Sequence, residues 1–422
     1  MRFAFDFRGI GVLQHGWLAA LPVGLALMAP ACSSDAGVGG VSVSPGGASN
    51  SAAGSNASPG SGGSGATAGA GTVSPGAGGS SAAGAAGTLA NGGAPGGAGT
   101  TGTPGAGSTG MAGGNSTGAD TPPLRPLKVD PTGAANKEID FTAKQLDSMA
   151  GTSTPDTHAG DKEYAFVDTK KKLQGKLVMT LGGIGGCCGQ GGIGGFAAGL
   201  GFHHLAIAMQ TAVSSAPDQY KNVPEAMRTN EENRQMGDGR MEAWDGVDRV
   251  SWLNINQHDS FAYRAQVALK YLEQQDPASD WGYYLNADGS VRWSDVYLVG
   301  YSYGSQTLAV VSKYVRIGRG IATSGPEDEG FPNATWIHAP SATPLERMYG
   351  LFGSTNLGNK VMTTQAAGWL GEPLTVNAGA MAAAFSTAPH LMIVQGQGHG
   401  EFCAGDGGDW KAMCQYSFGV TP

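Results

Sequence analysis

The sequence has no run of basic residues longer than the three lysines at 170–172, and it has little charge of either sign. Charged side chains make up 14% of the 422 residues, and the formal net charge is −8. A mildly acidic chain without a basic cluster lacks the electrostatic surface that nucleic-acid binding requires. We therefore expect no nucleic-acid partner.

Cysteine is also scarce. There are five in the chain, and their spacing matches no common zinc site. Cys32 lies near the N-terminus, and the other four are Cys187, Cys188, Cys403 and Cys414. An even number of cysteines predicts disulfides if the protein is exported to an oxidising compartment. Cys403 with Cys414 would close a short loop, and bonds from Cys187 and Cys188 to that segment are the alternative. We expect no metal and no organic cofactor.

The N-terminal part of the chain has almost nothing that could form a core. From residue 33 to about 123 it consists almost entirely of Gly, Ala, Ser, Thr and Pro. Such a composition buries too little apolar surface to offset the conformational entropy of ordering the chain. We predict a signal peptide at 1–31, a disordered linker at 32–123 and one folded domain at 124–422.

The first 31 residues lack an uninterrupted apolar stretch long enough for a transmembrane helix. Arg2 and Arg8 precede a mainly apolar segment at 10–27, and Ala29-Pro30-Ala31-Cys32 follows. This resembles a bacterial lipoprotein signal, which implies a lipid on Cys32, although that family prefers Leu where Ala29 stands. Ala29-Pro30-Ala31 also fits an ordinary cleavage site and plain secretion. We expect an exported protein, either anchored by lipid at the cell envelope (outer membrane or cell surface) or secreted.

The motif that most clearly indicates a catalytic residue is Gly300-Tyr301-Ser302-Tyr303-Gly304. An apolar run at 296–299 predicts a buried strand before it, and apolar residues at helical spacing over 308–315 predict a helix after it. At a sharp turn from strand to helix a serine is held in a strained backbone conformation, and flanking glycines let the two elements approach. The pattern predicts that Ser302 is a nucleophile at the N-terminus of a helix, which favours developing negative charge.

Other segments predict the alternation of strands and helices that an α/β protein requires. Strands are predicted at 163–167 (an edge strand), 176–181, 203–209, 320–323, 347–352 and 391–394, and helices at 196–200, 261–272 and 378–385. His203 and His204 are adjacent on one of these strands and point to opposite faces, so we interpret them as structural rather than metal-binding. The polar stretch at 211–250, with Arg240, Glu242 and Asp245, is interpreted as a solvated connection, and a lid is expected within 211–257.

Three motifs in order resemble the α/β-hydrolase superfamily over about residues 163–416. They are Leu-Gly-Gly-Ile-Gly-Gly at 181–186, the serine motif at 300–304, and Gly398-His399-Gly400 after the last strand. Ser-Gly-Pro-Glu-Asp at 324–328 and Thr-Pro-Leu-Glu-Arg at 343–347 are similar to a narrower group of bacterial secreted α/β hydrolases. The resemblance implies an α/β-hydrolase fold, with a mostly parallel central sheet flanked by helices and preceded here by a disordered linker.

The resemblance also implies roles for four residues. Ser302 would be the nucleophile and His399 its base, and the backbone N–H groups of Ile184 and Tyr303 would form the oxyanion hole. The alternative to an oxyanion hole at Ile184 is that this glycine-rich loop is merely flexible. A phosphate-binding loop is disfavoured there because no Gly-Lys-Ser/Thr follows.

The acid of a serine triad is missing from its usual place. The loop after the seventh predicted strand, 353–359, contains no carboxylate. Asp328, at the end of the sixth strand, is the candidate acid, with Glu327 or Glu329 behind it. Asp328 as an ordinary turn or helix-cap residue is one alternative. Asn356 orienting His399 without a charge is the other.

These observations predict an exported serine hydrolase that cleaves carboxylic esters, resembling a carboxylesterase or lipase. Its substrate would be a small-molecule or polymeric ester, and it would act through an acyl-enzyme on Ser302. The alternative function is a catalytically inactive surface module with the same fold. The missing acid favours that alternative, and the intact Ser302 and His399 favour the enzyme.

Overall fold

The computed structural model describes residues 123, 125–129, 136–154, 157–183, 191–210, 230–327, 334–377, 385, 387–400, 402–403 and 410–421. All of them belong to one compact unit, Thr100–Pro422. Several predictions lie outside the described residues. These are the signal peptide with Cys32, the linker up to residue 122, Ile184, Cys187, Cys188, Asp328, Glu329 and most of the helix predicted at 378–385.

The described residues form a nine-stranded sheet with the order β1-β2-β4-β3-β5-β6-β7-β9-β8. Pairing is parallel from β4 to β8, and β2 is antiparallel to both β1 and β4. The strands are β1 (Asn136–Phe141), β2 (Glu163–Asp168), β3 (Leu177–Leu181), β4 (His203–Ala206), β5 (Val296–Tyr301), β6 (Arg319–Thr323), β7 (Met348–Gly353), β8 (Leu374–Val376) and β9 (Leu391–Val394). The predicted fold class, an α/β-hydrolase fold with a mostly parallel sheet, is confirmed.

Helices connect most of these strands. In the described residues they are α1 (Ala143–Leu146), α2 (Gly191–Gly199), α3 (Asn230–Asp245), α4 (Phe261–Gln275), α5 (Tyr303–Tyr314), α6 (Lys360–Ala366) and α7 (Lys411–Ser417). Short 3₁₀ turns lie at Gln257–Asp259, Pro277–Ser279, Trp281–Tyr284, Trp293–Asp295, Thr335–His338 and Leu345–Arg347. Among the helices described, none is long and apolar enough to cross a membrane.

The core consists of two apolar layers, one on each face of the sheet. On β3, Leu177 and Met179 pack into one layer and Val178 into the other, because neighbouring side chains on a strand point to opposite faces. The first layer includes buried side chains of α3, α4 and α5, and the second includes those of α2 and α7. The strands are therefore covered on both sides, as a parallel sheet requires.

Two expectations about the elements are wrong, and three short elements were missed. β2 is not an edge strand, because β1 pairs along its outer side. The stretch expected to be an open polar connection contains the 16-residue helix α3. The short elements β8, α6 and α7 were not predicted, since three to seven residues carry too little periodicity to stand out.

Two charged residues of α3 are buried rather than solvated. Arg240 is 2% exposed and donates from Nη2 to Gln306 Oε1 at 2.5 Å. Glu242 is fully buried and accepts hydrogen bonds from the backbone N–H groups of Arg249, Val250 and Ile255. The interpretation of these residues as a solvated surface is therefore wrong: Arg240 ties α3 to α5, and Glu242 holds the chain that follows α3.

The adjacent histidines of β4 are both buried in the sheet. His203 Nε2 donates to Ser279 O at 2.7 Å, and its Nδ1 accepts from the Tyr284 hydroxyl at 2.8 Å. Burial lowers the pKa of His203 to about 4 and that of His204 to about 3, so both rings are neutral near pH 7. The residues described contain no cluster of three or more metal-ligating side chains.

Near the C-terminus the pairing of Cys403 with Cys414 is formed. It is one of the disulfide pairings left open by the sequence. The bond joins the segment just after His399 to α7. Cys414 and its neighbours on α7 are buried in the second apolar layer.

Backbones approach each other very closely where α5 begins. A Cβ on Gly304 would lie closer than 3.0 Å to the carbonyl oxygens of Leu181 and Gly182, at the end of β3. A Cβ on Gly300 would lie 2.6 Å from Gly304 O. Real Cβ atoms essentially never come so near to backbone atoms. Glycine at both positions lets α5 start directly against the edge of the sheet.

We predict that Gly304→Ala lowers the free energy of unfolding by roughly 2–4 kcal/mol, because α5 has to move away from β3 to admit the methyl group. Gly195→Ala is the matched control. Gly195 is exposed on α2, and nothing lies within 4 Å of an added Cβ. Gly195→Ala is therefore expected to raise the free energy of unfolding by at most about 1 kcal/mol. Urea denaturation of both full-length variants measures the difference. Equal stabilities would contradict the account.

Candidate active site

Ser302 occupies the single residue between β5 and α5. Its backbone has φ 53° and ψ −118°, a region that residues with a side chain rarely adopt. The Ser302 N–H donates to Thr323 O at 3.0 Å, and the Ser302 carbonyl accepts from the Ser305 N–H at 2.9 Å. Neighbouring elements on both sides therefore hold the strained turn in place.

A second set of hydrogen bonds, made by Ser305 and Thr323, holds the same turn from its buried side. Ser305 Oγ lies 2.7 Å from Gly300 O, 2.9 Å from Thr323 O and 3.1 Å from the Thr323 N–H. Thr323 Oγ1 also donates to Gly300 O, at 2.9 Å. Ser305 and Thr323 are fully buried, so these bonds join β5, β6 and α5 with little competition from water.

The Ser302 hydroxyl is not used to stabilise the helix that follows. Serine at this position ordinarily accepts a hydrogen bond from the first turn of a helix. In the described part of the chain Ser302 makes no such capping bond. Its hydroxyl is therefore available for another role, at the positive end of α5.

The loop after β3 reaches the side chain of Ser302. A Cβ on Gly183 would lie 3.5 Å from Ser302 Cβ and 3.3 Å from the Tyr301 ring. Ile184, the predicted oxyanion donor, is the next residue and lies outside the described residues. Tyr303, the second predicted donor, is the first residue of α5, and first-turn N–H groups are directed out of a helix N-terminus.

His399 lies in the loop after β9, beside the serine turn. The His399 and Tyr301 ring centroids are 5.3 Å apart. Gly400 is tied to the end of β6, because its N–H lies 3.1 Å and its carbonyl 2.7 Å from Ser324 Oγ. The ends of β5, β6 and β9 are thus brought together with Ser302 and His399 on the same edge of the sheet.

Asn356 holds the His399 ring. His399 Nδ1 lies 3.1 Å from Asn356 Oδ1, in the loop after β7. That loop is joined to the His399 loop by the Thr355 N–H and hydroxyl, which donate to Gln397 O at 3.0 and 2.9 Å. An amide oxygen accepts from Nδ1–H, so this contact leaves Nε2 as the basic nitrogen of neutral His399.

The surroundings of His399 favour its neutral form. Much of the residue is exposed, but the neighbouring protein removes part of its hydration. This desolvation is the largest cause of a pKa below the ordinary value of 6.5. The charge of Lys360 lowers the pKa further, and the charge of Glu327 raises it.

A carboxylate next to the predicted acid is paired with a lysine. Asp328 lies outside the described residues. Glu327, which precedes it, forms an ion pair between Oε2 and Lys360 Nζ, at the start of α6. Asn356 and Glu327 were both named from the sequence. Lys360 was not, because a single lysine with no motif around it gives no signal of function.

A small apolar cluster lies next to the serine turn. Met236, buried on α3, packs with Trp252 and with Tyr303. The predicted lid region therefore contributes part of this cluster. The sequence did not indicate the contact because α3 is rich in polar residues and its apolar positions are few.

Comparison with known proteins yields matches among solved structures alone. No protein-family model matches the chain, and no curated protein matches it. Similar structures include a truncated carbohydrate esterase from gut microbiota, which is 10% identical with a TM-score of 0.32, covering 70% of this chain and 99% of that one.

Two further similar structures come from named organisms. A poly(3-hydroxybutyrate) depolymerase from Bordetella parapertussis is 13% identical with a TM-score of 0.27, covering 69% of this chain and 92% of that one. A thermophilic esterase from Thermogutta terrifontis is 13% identical with a TM-score of 0.26, covering 60% and 83%. The fold assignment itself rests on the strand order and the turn at Ser302.

We predict that His399 loses its proton at a lower pH than a free histidine side chain. Diethyl pyrocarbonate modifies neutral imidazole, so the rate at His399, followed by peptide mass spectrometry, should be half-maximal below pH 6.5. A histidine-containing peptide measured in parallel gives the ordinary value. A midpoint for His399 at or above that of the peptide would contradict the assignment.

Proposed function

We propose that this chain is an exported serine hydrolase that cleaves carboxylic esters. The observation that carries the proposal is Ser302: a strained residue between a strand and a helix, whose hydroxyl is not used as a cap. His399 on the same sheet edge, held at Nδ1 by Asn356, supplies a base whose Nε2 can accept a proton.

The reaction follows from these groups. His399 Nε2 takes the proton of Ser302 Oγ while Oγ bonds to the ester carbonyl carbon, and the carbonyl electron pair moves onto oxygen. The N–H groups of Tyr303 and Ile184 stabilise that oxyanion. When the intermediate collapses, the bond to the alcohol oxygen breaks, and the alcohol leaves with the proton from His399. Water then loses a proton to His399 Nε2 as its oxygen bonds to the acyl carbon. The bond from that carbon to Ser302 Oγ breaks, Oγ takes the proton from His399, and the carboxylic acid leaves.

Asn356 has the place that a carboxylate holds in most serine triads. It orients the ring but supplies no negative charge to the imidazolium that forms during the reaction. In serine proteases, exchanging the Asp of the triad for Asn lowers kcat about 10⁴-fold. A slow enzyme is therefore expected, unless Asp328, which remains a candidate acid, contributes.

We also propose that the domain is held at the cell envelope by lipid on Cys32. Support comes from the sequence, where Arg2 and Arg8 precede an apolar segment that ends at Ala29-Pro30-Ala31-Cys32. The glycine- and serine-rich stretch after Cys32 would serve as a flexible tether. Labelling with a fatty acid that is lost in Cys32→Ala tests this proposal, and labelling that persists contradicts it.

A second candidate function is a surface module that binds a partner without catalysis. Asn356 in place of a carboxylate favours it. The two functions differ in whether Ser302 is reactive, which the next experiment measures.

We predict that a fluorophosphonate probe labels the full-length chain at Ser302 and that Ser302→Ala abolishes the labelling. The reason is that only an activated hydroxyl attacks the probe at a useful rate. Ser290→Ala is the matched control, since Ser290 lies in a turn on another part of the chain and bonds to Asp288. Equal labelling of all three proteins, or none, would overturn the enzyme proposal.

We predict opposite effects for two changes at Asn356. Asn356→Leu removes the acceptor at Nδ1 and should slow labelling of Ser302 about tenfold or more. Asn356→Asp places a charge that stabilises the imidazolium, and should speed labelling and raise the pKa of His399. The rates come from stopped reactions at pH 8. Two variants that label at the wild-type rate would show that the contact has no part in activating Ser302.

A further inference from the structure

Lys360 is a buried cation beside the candidate site. Its side chain is 1% exposed, although it is the first residue of α6, a short helix near the surface. A buried ammonium group is costly unless it is paired and hydrogen-bonded. Its ion pair with Glu327, whose side chain is 44% exposed, provides part of that compensation, so the buried lysine holds a carboxylate that still reaches solvent.

Glu327 is fixed from three directions. Its carboxylate contacts Lys360 Nζ, and its backbone carbonyl accepts a hydrogen bond from Gln306 Nε2 of α5. The carboxylate also lies against Gly358, where φ is 50° and an added Cβ would lie closer than 3.0 Å to it. Glu327 is therefore pressed onto the loop that carries Asn356.

His399 is contacted by two described groups, Asn356 at Nδ1 and the Tyr301 ring at a centroid distance of 5.3 Å. The charges of Glu327, just after β6, and of Lys360, on α6, also act on it. The two charges oppose each other: the cation disfavours the imidazolium and the carboxylate favours it. At Nδ1 itself stands the neutral amide of Asn356 rather than a charge.

We propose that Lys360 and Glu327 are positioning residues for His399. Lys360 holds the Glu327 carboxylate in an ion pair, so that Asn356 rather than Glu327 contacts the imidazole. The two opposite charges also balance each other near the ring. The inference rests on the proposed function, because His399 is the base of the proposed reaction. It implies that a carboxylate is present beside the base but is neutralised by its own partner. Removing either member should change how readily His399 takes up a proton, in opposite directions.

The test compares three variants of the full-length chain. Lys360→Met removes the cation and releases the carboxylate. Glu327→Gln removes the carboxylate and leaves the cation. The double variant carries both changes. The matched control is Lys162→Met, which breaks the exposed pair of Lys162 with Asp140, 2.7 Å apart, on another part of the chain.

The readout is the pH midpoint of diethyl pyrocarbonate modification at His399, with the fluorophosphonate rate at Ser302 as a second measurement. Lys360→Met should raise the midpoint and Glu327→Gln should lower it, each by about 0.5 to 1 pH unit, as expected for a nearby, partly screened charge. The double variant should lie between them, and Lys162→Met should match the unaltered protein. A purely structural pair would change the amount of folded protein without moving the midpoints in opposite directions.

Single-variant midpoints that move in the same direction, or that both match the control, would overturn the inference. If Glu327→Gln does not fold, the pH midpoints of Lys360→Met and of the double variant are compared instead. These two proteins differ only in the charge at position 327. A higher midpoint in Lys360→Met supports the inference, and equal midpoints overturn it. Labelling of Ser302 without the opposite shifts would leave the proposed function intact. Opposite shifts of the midpoint without any labelling of Ser302 would support the positioning role of Lys360 and Glu327 and overturn the proposal that the chain is a serine hydrolase.

Discussion

At Ser302 the chain turns from β5 into α5 within one residue, whose φ of 53° is unfavourable for a side chain. That conformation persists because the backbone is held at Thr323 and Ser305 and because Gly300 and Gly304 let the helix start against the sheet. Strain of this kind costs on the order of 1–3 kcal/mol and has to be compensated by the surrounding structure. The fully buried side chains of Ser305 and Thr323, which hydrogen-bond across β5, β6 and α5, contribute to that compensation.

The other groups of the site depend on the same edge of the sheet. Parallel strands end side by side, so the loops after β3, β5, β6, β7 and β9 meet where Ser302 stands. Asn356 orients the base through a neutral contact, and the nearby carboxylate of Glu327 is occupied by Lys360. Among the described residues, the site therefore combines strong positional order with opposing charges near His399.

Much of the fold could be predicted because its strands are short apolar runs and its serine turn has a distinctive pattern. Apolar runs at 296–299 and 391–394 predicted strands that the structure has at Val296–Tyr301 and Leu391–Val394. The serine turn was predicted from its glycines and from the strand and helix patterns on either side. Helix α3 could not, because its buried face depends on Arg240 and Glu242 meeting partners distant in sequence. The contact of Asn356 with His399 was one of two alternatives. No local pattern encodes the pairing of Lys360 with Glu327, which lies 33 residues away.

The most direct test of the central claim is to trap the acyl-enzyme. The full-length chain would be mixed with p-nitrophenyl acetate, quenched in acid within milliseconds to seconds, digested and mapped by mass spectrometry. The account predicts a burst of nitrophenol and an acetyl group on the peptide that contains Ser302, with turnover slow enough for the adduct to accumulate. Hydrolysis without an adduct at Ser302, or an acetyl group on another residue that accounts for the burst, would contradict it.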